Sequence, residues 1–391
     1  MIRSRFIIAS GYIRFFLCVF LSWGITGLNA QETKQKTEIS DQVSEQIPQI
    51  GEIAPIAPIE IPEIKIPDIT LPAENISEKD IKQATEKIET RKTAESDPRI
   101  DVACDLIDQK KYKEALEVLK PLAVQERDNP LVFYNLSVAY LGINEVYEAL
   151  DAIAVALDVN EDFYHAYYQQ GMIYMALDKP YNAIKSYEMA VRINPEFVLA
   201  YMNLGNLFYN LNSYEKAIDN YRKVIELAPN DARGYYDLAN VDRVLGDYTT
   251  AVELYLKAIE LDPANHFYYN NLGITYALMG DLKKAIEQFN NALKIKKDYY
   301  YAVYNLGDTL RERRRYEEAI ALLRRTIKLS PNHPYAYTSL GICYQQMGDL
   351  EKAVEYYELA LKMSPDSEWR REAQVRLQLL QDHLLKRSDD K

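Results

Sequence analysis

Small and bulky apolar residues recur along this chain with one long period. Eight alanines, Ala115, Ala149, Ala183, Ala217, Ala251, Ala285, Ala319 and Ala353, follow one another every 34 residues. Twelve residues before each stands a small residue: Ala103, Ser137, Gly171, Gly205, Ala239, Gly273, Gly307 and Gly341. Four residues after each comes a bulky one: Leu119, Ile153, Tyr187, Tyr221, Tyr255, Phe289, Leu323 and Tyr357. A register held this strictly means one supersecondary unit copied along the chain. The small position lets paired helices approach closely. The bulky position is expected to fill the space left open by the next unit. Pro195, Pro229, Pro263, Pro331 and Pro365 follow the alanine by twelve residues in five units. Proline lacks an N–H, so it ends the second helix of a pair and starts the next unit.

The unit reads aromatic, Leu-Gly, Ala, aromatic, Pro, as in Tyr201-Met202-Asn203-Leu204-Gly205 through Ala217 and Tyr221 to Pro229. It resembles the tetratricopeptide repeat, a helix-turn-helix module of about 34 residues. The resemblance covers about residues 96 to 365, with repeat 1 the weakest copy and Ala239 and Asp242 departing from the pattern in repeat 5. It implies an all-α fold: a right-handed superhelix, or solenoid, of eight helix-turn-helix repeats. Such an array grows by stacking and has no single globular core.

The flanks read differently. Arg3, Arg5 and Arg14 precede an uncharged run from Phe15 to Gln31, which predicts a signal peptide over residues 1–30, cleaved after Ala30, and hence an exported, periplasmic protein. Left uncleaved, the same run would anchor the chain in a membrane, facing the extracytoplasmic side. Residues 31–75 hold no aromatic, while Pro48, Pro55, Pro58, Pro62, Pro67 and Pro72 alternate with isoleucines. That composition predicts an extended tether, either a stiff spacer or a strand that docks on a partner. Residues 76–95 open with a capping box at Ser77-Glu78-Lys79-Asp80 and predict a short helix. Residues 366–391 predict a capping helix and tail, with Trp369, Ala373, Leu377, Leu380 and Leu384 on one side and Arg371, Gln378, Gln381 and Lys386 on the other.

Charge narrows the partners. The formal charge is −12, and removing three leader arginines takes it to −15, which disfavours nucleic acid. Cys104 and Cys343 lie seven units apart, too far to bridge within one chain. His165, His266, His333 and His383 are too scattered for a metal set, and none of the common nucleophile, phosphate-loop or zinc motifs occurs. The reading is therefore no enzyme, no cofactor and no metal.

The resemblance places the first helix of each unit on a concave groove. On that basis Asn135, Gln169, Asn203, Asp237, Asn271, Asn305 and Ser339 should point into it, a partial ladder of amides able to pair with the backbone of an extended ligand. Similar asparagine ladders occur in tetratricopeptide superhelices that hold peptides. Beside it stands a wall of Tyr134, Tyr168, Tyr236 and Tyr304, with Phe267, Tyr301 and Tyr335 a turn earlier. Tyrosine suits a binding surface because it brings large contact area at low entropy cost, although the same rings serve equally as packing. The family's carboxylate clamp needs lysine and arginine where this chain carries Tyr, Met, Ala and Leu. Arg243 and Arg311, with Arg313, Arg314 and Arg315 in the following turn, offer a site for an acidic partner or a solvated turn. The function expected is a non-enzymatic scaffold that binds proteins or extended peptides in its groove. The alternatives are an envelope assembly or targeting subunit acting through its tether, and an accessory subunit that recruits substrate for an enzyme.

Overall fold

A computed structural model describes residues 97–363 and 368–389, all of them helix or short turn. The leader, the Pro/Ile-rich tether and the short helix at 76–95 lie outside these residues. Eight helix pairs follow in order: α1 (Pro98–Asp108) with α2 (Tyr112–Gln125), α3 (Pro130–Gly142) with α4 (Val146–Val159), α5 (Tyr164–Ala176) with α6 (Pro180–Ile193), and α7 (Val198–Asn210) with α8 (Tyr214–Leu227). Then come α9 (Ala232–Leu245) with α10 (Tyr248–Leu261), α11 (His266–Leu278) with α12 (Leu282–Ile295), α13 (Tyr300–Glu312) with α14 (Tyr316–Leu329), and α15 (Pro334–Gln346) with α16 (Leu350–Met363). The final helix α17 spans Glu368–Asp389. Each first helix packs on its own second helix, each second helix on the next first helix, and consecutive first helices touch as well.

Local chemistry sets the helix ends. Asp97, Asn129, Asp231 and Asn265 cap first helices by accepting from the backbone N–H two residues on, which satisfies a donor that the helix itself leaves open. Every turn within a pair holds one residue in the left-handed region: Lys110, Asn144, Asp178, Asn212, Gly246, Gly280, Arg314 and Gly348, with φ between 54° and 85°. The backbone bonds around it, such as Ser213 N–H to Phe208 carbonyl at 2.8 Å, close the preceding helix. Pro195, Pro229, Pro263 and Pro331 each stand two residues beyond the last residue of a second helix. Pro121 is different: it sits inside α2 on its exposed side, four residues after the equally exposed Glu117, whose carbonyl it leaves without the usual helical N–H.

The bulky residue after the alanine packs against the small residue of its own repeat and also reaches the next one, where Tyr187 meets Asn203. A Cβ added to Gly205 would lie 2.5 Å from the Tyr221 ring, and one on Gly171, Gly273 or Gly341 equally close to Tyr187, Phe289 or Tyr357. The glycine is therefore a seat for a ring, which then lies fully buried between the paired helices. Where the small residue is Ala103 or Ser137, the partner is the slimmer Leu119 or Ile153. The described part of α17 closes the array as expected: Ala373, Leu377 and Leu380 join the cluster formed by Ala353, Tyr357 and Ala360, and Arg371 and Gln378 are exposed. Cys104 and Cys343 are buried and form no disulfide, and burial pushes the Cys343 thiol up to about 12.

Candidate functional site, the face of the first helices

The amide ladder lies between first helices and not open to a groove. Asn135, Gln169, Asn271, Asn305 and Ser339 are buried, and Asn203 and Asp237 are half-buried. Their partners follow a rule of register. The ladder residue bonds to the previous first helix either 35 or 31 residues upstream, because those two positions flank it across the helix contact. Asn203 Nδ2 donates to the Tyr168 hydroxyl at 3.1 Å, and Asn271 Nδ2 to the Tyr236 hydroxyl and Asn240 Oδ1, both at 2.9 Å. Asn305 Nδ2 donates to Asn270 Oδ1 at 3.0 Å, and Ser339 Oγ to Asp308 Oδ1 at 2.7 Å. Asn135 Oδ1 accepts from the Cys104 thiol, and its Nδ2 donates to the Leu131 carbonyl. These side chains hold one repeat to the next.

The tyrosine wall divides in two. Tyr134, Tyr168, Tyr236 and Tyr304 are buried, while Phe267, Tyr301 and Tyr335 are half-buried. Behind these three runs an unbroken series of rings along repeats 6 to 8. His266 lies tilted against Phe267 at 4.2 Å and meets Tyr299 edge-on at 4.6 Å. Tyr299 lies 5.4 Å from Phe267 and 5.6 Å from Tyr301. Tyr300 leads on to His333, which touches Tyr304 at 4.7 Å and Tyr335 at 5.4 Å. Burial, with Lys296 beside it, lowers the His266 imidazole to about 4, and burial lowers His333 to the same value. Both rings are therefore neutral at pH 7, and the cation beside them is Lys296, 5.7 Å over the Tyr299 ring.

Sequence reasoning missed His266, Tyr299, Tyr300 and His333. The signal was present: Phe163, Phe197, Tyr299 and His333 share one register just before a first helix. A second ring series, from Tyr134 through Phe163 and His165 to Tyr164 and Phe197, runs along repeats 2 to 4. Between the two series the ring register is occupied by Asp231, which is ion-paired with Arg233 at 2.7 Å.

Of the two readings of the arginines, a site for an acidic partner and a solvated turn, the geometry favours the turn. Arg243 is buried. Arg311 is clasped by Asp308 through bonds of 2.7 and 3.0 Å. Burial alone would raise the Asp308 carboxyl, but Arg311 and the Ser339 hydroxyl outweigh it and hold the group below its usual value. Arg315 is paired with Glu318 at 2.6 Å, which leaves the exposed Arg313 and Arg314 in the turn. Among the described residues no group of acids, histidines and cysteines gathers as a metal site, and no helix is long and apolar enough to cross a membrane.

No curated protein matches the chain. Solved structures do. The Cut9–Hcn1 hetero-tetramer of the APC/C is 20% identical over 72% of this chain and 56% of its own, with a TM-score of 0.51. YrrB, described as a tetratricopeptide-repeat protein with an unusual peptide-binding site, is 25% identical over 49% of this chain and 98% of its own, with a TM-score of 0.40. MamA from Desulfovibrio magneticus RS-1 is 23% identical over 44% of this chain and 96% of its own, with a TM-score of 0.41. Two family models, each described as tetratricopeptide repeat, match residues 164–197 and 198–231 and residues 230–298 and 299–366. Those matches span repeats 3 to 8, just over half of the chain, and the same helix pairs continue through repeats 1 and 2: the chain belongs to the tetratricopeptide-repeat family.

Proposed function

We propose that this protein is an exported scaffold that holds an extended segment of a partner protein against the first helices of repeats 6 to 8. Tetratricopeptide arrays are protein-interaction scaffolds and typically carry no catalysis, so the binding surface is the functional element. The observation that carries the reading is the half-buried series Phe267, Tyr301 and Tyr335, one ring at the same register of each repeat, each backed by buried rings. Rigid aromatic area that is already ordered loses little entropy on binding. The buried amides contribute indirectly, by fixing the spacing of the rings.

A photoreactive residue at Tyr301, compared with one at the exposed Tyr181 of α6, tests the site. Partner crosslinks are expected at Tyr301 and not at Tyr181. The reverse pattern would assign binding to the second helices and remove this reading. Export rests on the arginines and uncharged run of residues 1–31. Carbonate extraction tests it: release into the soluble fraction supports cleavage, and retention in the pellet an uncleaved anchor.

A further inference from the structure

One histidine does two jobs that the other repeats divide between residue types. Just before a first helix, Asn129, Asp231 and Asn265 are caps whose side chains accept a backbone N–H, while Phe163, Phe197 and Tyr299 are rings that make no such bond. Two of those rings pack on the repeat before, Phe163 against Tyr134 at 5.3 Å and Phe197 against Tyr168 at 5.1 Å. His333 stands at the same register and does both. Its imidazole lies 4.7 Å from Tyr304, the equivalent of Tyr134 and Tyr168, while its Nδ1 accepts from the Ala336 N–H at 3.3 Å and caps α15. Tyr300 of α13 and Tyr335 of α15 enclose the ring at 5.8 and 5.4 Å, and the side chain is buried.

Only a neutral imidazole can fill both places. We propose that His333 is an acid-sensitive latch, which on protonation gives up the cap of α15 and frees Tyr335, the third ring of the strip, from its backing. A proton on Nδ1 turns the acceptor into a donor that faces the Ala336 N–H, and it sets a positive charge at the helix end that disfavours one. The groups around the ring supply no anion to compensate. Those that face it are the phenols Tyr300 and Tyr304 from α13 and Tyr335 from α15, and the Asp308 carboxylate of α13 is clasped by Arg311. Burial lowers the imidazole to about 4, partly opposed by a bond to its own backbone, and no charged side chain shares in the effect. The opened end of α15 takes up a proton below the ordinary 6.5, and the capped ring only near 4. The closed form is therefore favoured above that window and loses ground as pH falls through it. His266, lowered likewise by burial beside Lys296, stands at the start of α11, so the readout belongs on α15. That the latch controls a partner rests on the reading of the strip as a binding surface.

Hydrogen exchange of the full-length protein at pH 7 and pH 5, corrected for the intrinsic rate at each, tests the latch without a ligand. Protection of α15 is expected to fall roughly tenfold relative to α1 to α4, whose repeats hold no histidine. In His333→Asn, which keeps a cap of the kind seen at Asn129 and Asn265, that fall should vanish. His333→Phe keeps the ring and loses the cap, so α15 should be less protected at both pH values and equally so at each. Circular dichroism of each variant confirms an intact array. Protection that holds at pH 5 would mean that the rings accommodate the cation, and it overturns the latch, as does an equal fall in His333→Asn. A photoreactive residue at Tyr335 then reads the partner: its crosslinks should weaken at pH 5 with His333 present and persist in His333→Asn. If exchange follows the expectation and Tyr335 crosslinks to nothing at either pH, the binding surface is wrong and the latch stands. If Tyr335 crosslinks equally at both and exchange does not respond, the surface stands and the latch is gone.

Discussion

Asn271 and Gln169 occupy the same register of two repeats and meet opposite fates. Asn271 is 1% exposed and engages three partners: its amide donates to Tyr236 and Asn240, and its carbonyl accepts from Asn270. Gln169 is 2% exposed, but the position 31 residues upstream is Val138, and its Nε2 has no acceptor. Desolvating an amide without a partner costs about 1–3 kcal/mol, and orphaning partners by truncation costs a similar amount. Asn271→Ala is therefore expected to lower stability by about 2 kcal/mol or more, and Gln169→Leu to raise it by about 1 kcal/mol. Urea midpoints of the two variants check the signs. A stabilised Asn271→Ala would mean the ladder's bonds contribute nothing between repeats. The ladder was visible in the sequence as a position, yet its direction was not. A 34-residue alignment superposes equivalent residues, whereas each bond joins residues 35 or 31 apart on neighbouring helices. Only pairing Asn203 with Tyr168, or Ser339 with Asp308, would have turned an apparent groove into a seam.

At the scale of the helix pair, the fold was legible because each element carries its own signal. Alanine, the bulky residue and proline mark the second helix, and caps such as Asn129 and Asp231 mark the first. The left-handed turn residue was harder to see: the eight positions hold Lys, Asn, Asp, Gly and Arg, so no single residue type announces the conformation. The glycine seat is a constraint of size between two helices, and it predicts a coupling. Gly205→Ala would place a methyl 2.5 Å from Tyr221, and overpacking of this kind costs about 1–3 kcal/mol, more than the roughly 1 kcal/mol that alanine gains in helix propensity. Tyr221→Leu alone loses the bond from its hydroxyl to Asn206 and leaves a void. The double variant recreates the pairing of Ala103 with Leu119, and its loss should fall short of the summed single losses by about 1 kcal/mol or more. A double-mutant cycle by chemical denaturation measures this, and strict additivity would show that ring and seat do not meet. Repeat 5 sets Ala239 beneath Tyr255, and there the first helix runs to Leu245, one residue longer than its neighbours.

Across the whole array, stability is a sum of repeats and the contacts between neighbours, so a lesion at one end should travel only as far as its core does. The last core cluster joins Leu377 and Leu380 of α17 to Tyr357, Leu340 and Leu323, and reaches Phe289 in repeat 6. Repeat 1 and part of repeat 2 form a separate cluster around Leu119 and Leu136, and the rest of repeat 2 joins repeat 3 around Ile153 and Ile173. Leu380 is 4% exposed, and Leu380→Glu would bury a carboxylate with no partner. Hydrogen exchange read by mass spectrometry should then show α15, α16 and α17 losing protection first, with α13 and α14 less affected and α1 to α4 unchanged. Because Tyr335 lies on α15, the third rung should fail with them, and affinity for a segment spanning all three rings should drop while crosslinking at Phe267 persists. Equal loss of protection in every repeat would mean that the eight pairs unfold as one unit, and the independence that lets one stretch of the array carry the binding would be gone.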